Sequence, residues 1–302
     1  MIDDLHIPER RTIEIDLDGP VAYREWEGPP ETTFVMVHGL GGSHLSWVQV
    51  GYGLSGQGRV VALDLPGFGW SPRDGRASGL MDLRRTLSRF IQETATGRVV
   101  LCGNSMGGAV GILQAAVEPD SVDAIVLSGS VFPWAKGGLP HPLVLATFAM
   151  YESPHLGERF VSTRATSIDP ERGVRLSFRI IAADARTIPE EIIQLHVELA
   201  RERQNDPDAV PAFLEAARSL LRLGRRPSVV TRALDAISVP VLVLHGRRDR
   251  LVPAAFAEAA LHRRPTWRGR IFADLGHVPQ MEAPGRWIAE VADWNAGITR
   301  EP

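Results

Sequence analysis

Five residues, Gly103-Asn104-Ser105-Met106-Gly107, follow directly on the apolar run Arg98-Val99-Val100-Leu101-Cys102 and precede the Ala-, Leu- and Ile-rich stretch Ala109 to Val117. The first run predicts a buried strand and the second a helix. A G-x-S-x-G between them demands a sharp strand-to-helix turn with its serine in a strained backbone conformation. Glycine at both flanks answers that demand, because the turn leaves no room for neighbouring side chains. A serine at a helix N-terminus also meets oriented N–H groups and the positive end of a dipole, which favour developing negative charge. The five-residue pattern recurs by chance, so its weight rests on this setting and on the rest of the chain.

Further apolar runs at Phe34 to Val37, Val60 to Leu63, Ala124 to Leu127, Val239 to Leu244 and Arg270 to Phe272 read as strands. Most are continuously apolar, as parallel strands covered on both faces should be. Helical stretches such as Leu80 to Thr94 separate several of them, which implies a mostly parallel sheet with helices on both faces. Alternation around Asp18-Gly19, from Thr12 to Trp26, predicts an antiparallel hairpin ahead of the sheet. Between Phe132 and Arg226 strands vanish and four helical patterns follow one another: Leu143 to Tyr151, Pro170 to Ala183, Pro189 to Arg203, and Ala209 to Leu223. Crossovers are normally single helices, so this stretch predicts a helical cap inserted over the carboxyl ends of the strands. The expected division is a core of residues 1–131 and 227–302 with a cap of residues 132–226; 302 residues suffice for both.

A net charge of −3 offers no electrostatic case for nucleic acid or an anionic membrane. No uninterrupted apolar stretch approaches membrane-spanning length, and Met1 to His6 is acidic without an apolar core, so neither a span nor a secretory signal is expected. The default expectation is a cytoplasmic protein. The single cysteine, Cys102, allows no internal disulfide and reads as strand packing. The histidines form no H-x-x-x-H or H-E-x-x-H spacing, and Gly39 to Gly42 lacks the marks of a phosphate or dinucleotide loop. No metal and no cofactor are expected. Oligomeric state is open between monomer and homodimer.

A serine hydroxyl needs a base to take its proton, and that base needs a third group to orient it. Asp249 lies just past the strand ending at Leu244, where open α/β sheets keep their sites. It could also cap a helix before Pro253, but its spacing favours the catalytic role. His277, in Leu275-Gly276-His277-Val278-Pro279, sits in a loop from which it can face a cleft. The order Ser105, Asp249, His277, together with His38-Gly39-Leu40-Gly41-Gly42 and Asp64-Leu65-Pro66-Gly67-Phe68-Gly69-Trp70-Ser71, resembles the α/β-hydrolase superfamily from Phe34 to Trp294. That resemblance implies the α/β-hydrolase fold. It also implies Ser105 as nucleophile, His277 as base and then acid, Asp249 as its partner, and the backbone N–H groups of Leu40 and Met106 as an oxyanion hole, with Gly41 a substitute for Leu40. His38 and His245 read as structural, and Asp64 as ordering the Pro66-Gly67 turn.

A serine at this position sets aside the aspartate-nucleophile dehalogenase and epoxide-hydrolase branches. Gly-Asn-Ser-Met-Gly-Gly with a helical cap is also similar to the carbon–carbon hydrolases of aromatic ring-cleavage pathways. Those enzymes pair the histidine with a following tryptophan and carry a cap arginine for an anionic substrate; here Val278 and His196 stand at those places. Arg175, Arg179 or Arg201 could compensate. Hydrolysis of a small-molecule carboxylic ester is therefore the expectation, with carbon–carbon cleavage of a dienoate as the alternative. A non-catalytic ligand-binding protein on this fold is the third possibility. Trp47, Phe132, Trp134, Phe148, His196 and Val278 are the expected pocket residues. Phe132, Trp134, Leu143 and Phe148 are equally explained as packing.

Overall fold

The computed structural model describes residues 12–132 and 138–298. The chain opens with β1 (Ile13–Asp16) and β2 (Pro20–Trp26), then β3 (Thr32–Val37), α1 (Val48–Ser55), β4 (Arg59–Leu63), α2 (Leu80–Thr94), β5 (Arg98–Asn104), α3 (Met106–Val117) and β6 (Ala124–Ser128). Helices follow without a strand: α4 (Pro142–Glu152), α5 (Pro154–Ser167), α6 (Pro170–Ile181), α7 (Glu190–Glu202), α8 (Ala209–Gly224) and α9 (Pro227–Ala236). The chain returns through β7 (Val241–Gly246), α10 (Ala254–Arg263), β8 (Arg268–Phe272), the single turn α11 (Pro279–Glu282) and α12 (Pro284–Ile298).

The eight strands form one sheet in the order β1-β2-β4-β3-β5-β6-β7-β8. The hairpin β1–β2 and the β2–β4 pair are antiparallel, and every other pair is parallel. Positive φ at Asp18 and Gly19 closes the hairpin where the sequence signal lies. The continuous apolar runs have a direct physical reason. Val35, Val37, Val61, Leu63, Leu101, Leu127 and Val243 face a core layer with α2, α3, α9 and α10. Their neighbours Phe34, Met36, Val60, Ala62, Val100, Val126 and Leu244 face a second layer with α1 and α12. A strand buried on both faces has no polar position to alternate with. Cys102 is fully buried in the second layer, as its place in the strand predicts.

In α2, Leu80, Leu83, Leu87, Phe90 and Ile91 recur at helical spacing and all face the sheet. Helix α9 packs Val230, Ala233 and Leu234 on the same layer, which Ala216 and Leu220 of α8 also reach. Of the helices before it, α5 is absent from the sequence-based expectation because its only buried residue is Gly157, which leaves little apolar periodicity. Tyr151, Leu214 and Ala217 form a separate small cluster with Phe148, Phe160 and Phe213, which joins α4, α5 and α8. Two expectations need restating. Trp47, expected in the pocket, is fully buried against Trp287, with ring centroids 5.8 Å apart, so it packs the core. Leu143 is 60% exposed and is neither core nor enclosed lining. Among the described residues no helix is long and apolar enough to cross a membrane.

Trp287 is also fully buried, and its indole N–H donates to the Ser128 hydroxyl at 3.2 Å. Trp287→Ala should cost about 3–5 kcal/mol of stability in urea unfolding. Leu143→Ala should change it by less than about 0.5 kcal/mol.

Candidate active site

The parallel strands bring their carboxyl ends to one edge, and β5 is flanked there by β3 and β6. Ser105 follows β5 with φ 52° and ψ −113°, a conformation that costs a non-glycine residue about 1–3 kcal/mol. The neighbours hold it in place. Its N–H donates to the Ser128 carbonyl at 3.1 Å, and its carbonyl accepts the Ala109 N–H at 3.1 Å. A Cβ at Gly107 would stand 2.2 Å from the Val37 carbonyl oxygen, and one at Gly103 would stand 2.5 Å from the Gly107 carbonyl oxygen. Both glycines are therefore required by close approach of backbone to backbone.

Asn104 donates its side-chain amide to the carbonyls of Ser128 at 2.9 Å and His277 at 3.2 Å. The residue before Ser105 thus ties the nucleophile candidate to the histidine loop. His277 is buried, and its Nδ1 lies 2.7 Å from Asp249 Oδ2. A carboxylate there accepts, so Nδ1 carries the proton and Nε2 keeps its lone pair. Asp249 Oδ1 accepts the N–H groups of Leu251 at 2.8 Å and Val252 at 2.9 Å. His245 Nε2 lies 3.2 Å from Asp249 Oδ2 and 2.9 Å from the Val252 carbonyl. Burial alone would raise the Asp249 carboxyl, but the His277 imidazole and the His245 hydrogen bond hold it well below the usual carboxylate range. Helix α10 is capped at Pro253, so Asp249 does not serve as its N-cap.

Met106 is the first residue of α3, so its N–H is among those a helix leaves without an intrahelical acceptor. Leu40 lies in a turn closed by Gly42 N–H to the Gly39 carbonyl at 3.0 Å. A Cβ on Gly39 would stand 3.2 Å from the Ser105 Cβ, so this turn runs against the serine. Leu40 also packs on the cluster of Phe148, Tyr151 and Phe213, which brings the helical segment over the same edge. Phe132 is buried near His245, with ring centroids 6.4 Å apart. Val278 is buried in the layer that holds α6 and α7. Trp134 lies outside the described residues.

His38 and Asp64 hold loops. His38 Nδ1 donates to the Gly39 carbonyl at 2.7 Å, and its Nε2 accepts the Leu65 N–H at 3.0 Å. Asp64 accepts the N–H groups of His44 at 2.5 Å and Trp70 at 2.8 Å, and pairs with the His44 ring at 3.1 Å. Its span is thus wider than the Pro66-Gly67 turn. His196 packs edge-on to Phe178 and donates Nδ1–H to the Ile192 carbonyl at 2.8 Å. Burial pushes its pKa down to about 4, so it is a neutral group at pH 7. Arg175 is bound to Glu171 and Glu190, Arg201 faces Glu171, and Arg179 is exposed. Among the described residues no cluster of three His, Cys, Asp or Glu could hold a metal ion.

Comparison with known proteins agrees with this architecture. The alpha/beta hydrolase fold family matches residues 32–284. The chain is 29% identical over 268 residues to the dihydrolipoyllysine-residue acetyltransferase component of the acetoin cleaving system of Cupriavidus necator; the match covers 88% of this chain but only 64% of that protein. It is 27% identical over 263 residues to the pimeloyl-[acyl-carrier protein] methyl ester esterase of Nitrosomonas europaea, covering 84% of this chain and 92% of that one. It is 25% identical over 276 residues to the 2-hydroxy-6-oxononadienedioate/2-hydroxy-6-oxononatrienedioate hydrolase of Burkholderia vietnamiensis, covering 88% of each.

The depressed His196 pKa has a sign that can be checked. An imidazole that stays neutral when folded but binds a proton when unfolded makes stability fall as pH drops from about 6.5 to about 4. Urea unfolding across that window should show a shallower loss in His196→Gln than in the parent protein. Parallel losses would mean that His196 is as readily protonated in the fold as out of it.

Proposed function

The chain belongs to the alpha/beta hydrolase fold family, and from that premise we propose that it is a serine hydrolase of carboxylic esters acting through an acyl-enzyme on Ser105. The observation that carries the proposal is the 2.7 Å hydrogen bond between His277 Nδ1 and Asp249, which leaves Nε2 as the base, on a loop whose His277 carbonyl is bound by Asn104, the residue before Ser105. The Ser105 hydroxyl oxygen attacks the ester carbonyl carbon while His277 Nε2 takes its proton. Asp249 stabilises the imidazolium that forms. The Leu40 and Met106 N–H groups receive the oxyanion. The tetrahedral intermediate collapses by breaking the ester C–O bond, and His277 returns the proton to the departing alkoxide. Water then repeats the sequence on the acyl-enzyme, releasing the acid and restoring Ser105.

Helices α4 to α8 act as the cap in this proposal, and Phe148 and Phe213 beside Leu40 supply an apolar acyl wall. A neutral His196, with Arg175 engaged by two glutamates, suits a neutral ester better than a dianionic dienoate. Carbon–carbon hydrolysis is the second proposal, and the likeness to the dienedioate hydrolase along 88% of both chains favours it. Action on a small-molecule ester in the cytoplasm is the corresponding setting, with the single cysteine buried and unpaired.

A fluorophosphonate should label Ser105 and no other residue. Asp249→Asn and His277→Gln should each lower ester turnover by about 10⁴-fold while leaving the protein folded. A folded parent protein that resists the label would point to a ligand-binding role instead. Parallel assays on p-nitrophenyl esters and a ring-cleavage dienoate separate the two hydrolytic reactions, and dienoate turnover above that of every ester would reverse the preference.

A further inference from the structure

A helix leaves its last carbonyls without intrahelical partners, and something must satisfy them where the end is packed. At the end of α6 the partners come from the two loops that carry Asp249 and His277. The Arg250 guanidinium donates to the Arg179 carbonyl at 2.8 Å and the Ala182 carbonyl at 3.1 Å. The His277 N–H itself donates to the Ile181 carbonyl at 2.8 Å. The next N–H, that of Ala183, donates to Glu282 Oε2 at 2.7 Å. Glu282 also accepts the N–H of Gly276, the residue before His277, at 2.9 Å on Oε1 and 3.1 Å on Oε2.

The contact has no slack. A Cβ on Gly276 would stand 2.5 Å from the Ala183 nitrogen and 2.7 Å from the Ile181 oxygen. Glu282 is buried, and burial pushes its carboxyl pKa up against the pull of the Ala183 and Gly276 N–H groups. Arg250 places its cation at the negative end of the α6 dipole. The Asp249 loop follows β7 and the His277 loop follows β8, so the end of α6 is a third body on which both are fastened.

We propose that Arg250 and Glu282 are positioning residues that clamp the last turn of α6 between the Asp249 and His277 loops and thereby set the imidazole against the carboxylate. The activity arm of this proposal rests on the roles assigned above to Ser105, His277 and Asp249. The clamp makes α6 a fixed part of the catalytic scaffold. Loosening it moves the base and leaves substrate contacts in place, so kcat responds and KM does not.

Glu282→Gln keeps the side-chain shape but offers one acceptor oxygen where two serve now, and its amide must face an N–H. Arg250→Ala removes the fork, whereas Arg250→Lys keeps the charge at the helix end with a single donor centre. Three readouts are taken on the full chain: the rate of fluorophosphonate labelling, kcat and KM on a p-nitrophenyl ester, and the low-field proton NMR signal of His277 Nδ1–H in histidine-labelled protein. Arg250→Ala and Glu282→Gln should slow labelling and kcat about tenfold or more with KM little changed. The imidazole proton should move upfield, and Arg250→Lys should regain most of the rate. Unchanged labelling and an unchanged imidazole proton, with only a lower melting temperature, would reduce the clamp to a structural attachment and overturn the proposal. A folded parent that shows the imidazole proton but takes no label would instead remove the proposed hydrolase function, and the proton's response in the variants would still decide the clamp. If Arg250→Ala does not fold, Glu282→Gln carries the same comparison on its own.

Discussion

The backbone contact between Gly107 and the Val37 carbonyl is the constraint from which the rest of this site follows. With room for no Cβ there, α3 can start hard against β3, and the chain must turn sharply after β5. That turn forces Ser105 into a positive φ. The cost of holding it is offset by hydrogen bonds to β6 and α3 and by packing of the whole sheet around β5. The serine consequently stands at the edge of a rigid element and not on a mobile loop. It meets a helix N-terminus on one side and the Gly39 turn on the other, which supports the oxyanion role proposed for the Met106 and Leu40 N–H groups.

The second level of organisation is electrostatic. A buried carboxylate survives only if its lone pairs are taken, and Asp249 has His277, His245 and two backbone N–H groups around it. Held ionised, it accepts the proton on His277 Nδ1 and so fixes which ring nitrogen faces away from it. Burial likewise disfavours a charge on His196, whose ring bonds the Ile192 carbonyl and no carboxylate, so there desolvation prevails. One imidazole is thus held by a carboxylate and the other, bound only to a carbonyl, is kept neutral. This contrast connects the chemistry proposed at Ser105 with a preference for a neutral substrate.

Much of the fold was legible because its strands are buried on both faces, and such runs stand out in any sequence. The hairpin at Asp18-Gly19 and helix α2 were legible for similar local reasons of turn chemistry and 3.6-residue spacing. Helix α5 was not, because it buries only Gly157 and so carries no apolar stripe. Trp47 reads as a pocket residue from the sequence, where a tryptophan carries no mark of which role it takes. Only its burial against Trp287 makes it core. Asn104 lay in plain view within the elbow, yet its bond to the His277 carbonyl joins residues far apart in the chain and has no local signature. The same holds for Glu282, which reads as one acidic residue in a short apolar loop until Ala183 and Gly276 are seen to converge on it.

Sequence alone determined the mostly parallel sheet, the strand-to-helix turn at Ser105 and the family to which the chain belongs, because each depends on short-range pattern: strand apolarity, glycine placement and the order of five motifs. Tertiary structure alone decided which groups meet. It set His277 on Asp249, made His196 neutral, engaged Arg175 with Glu171 and Glu190, and fastened the end of α6 to the loops that carry Asp249 and His277. Those outcomes depend on distances between segments separated by tens of residues or on the loss of water around a side chain. Neither quantity is written in the neighbours of a residue along the chain.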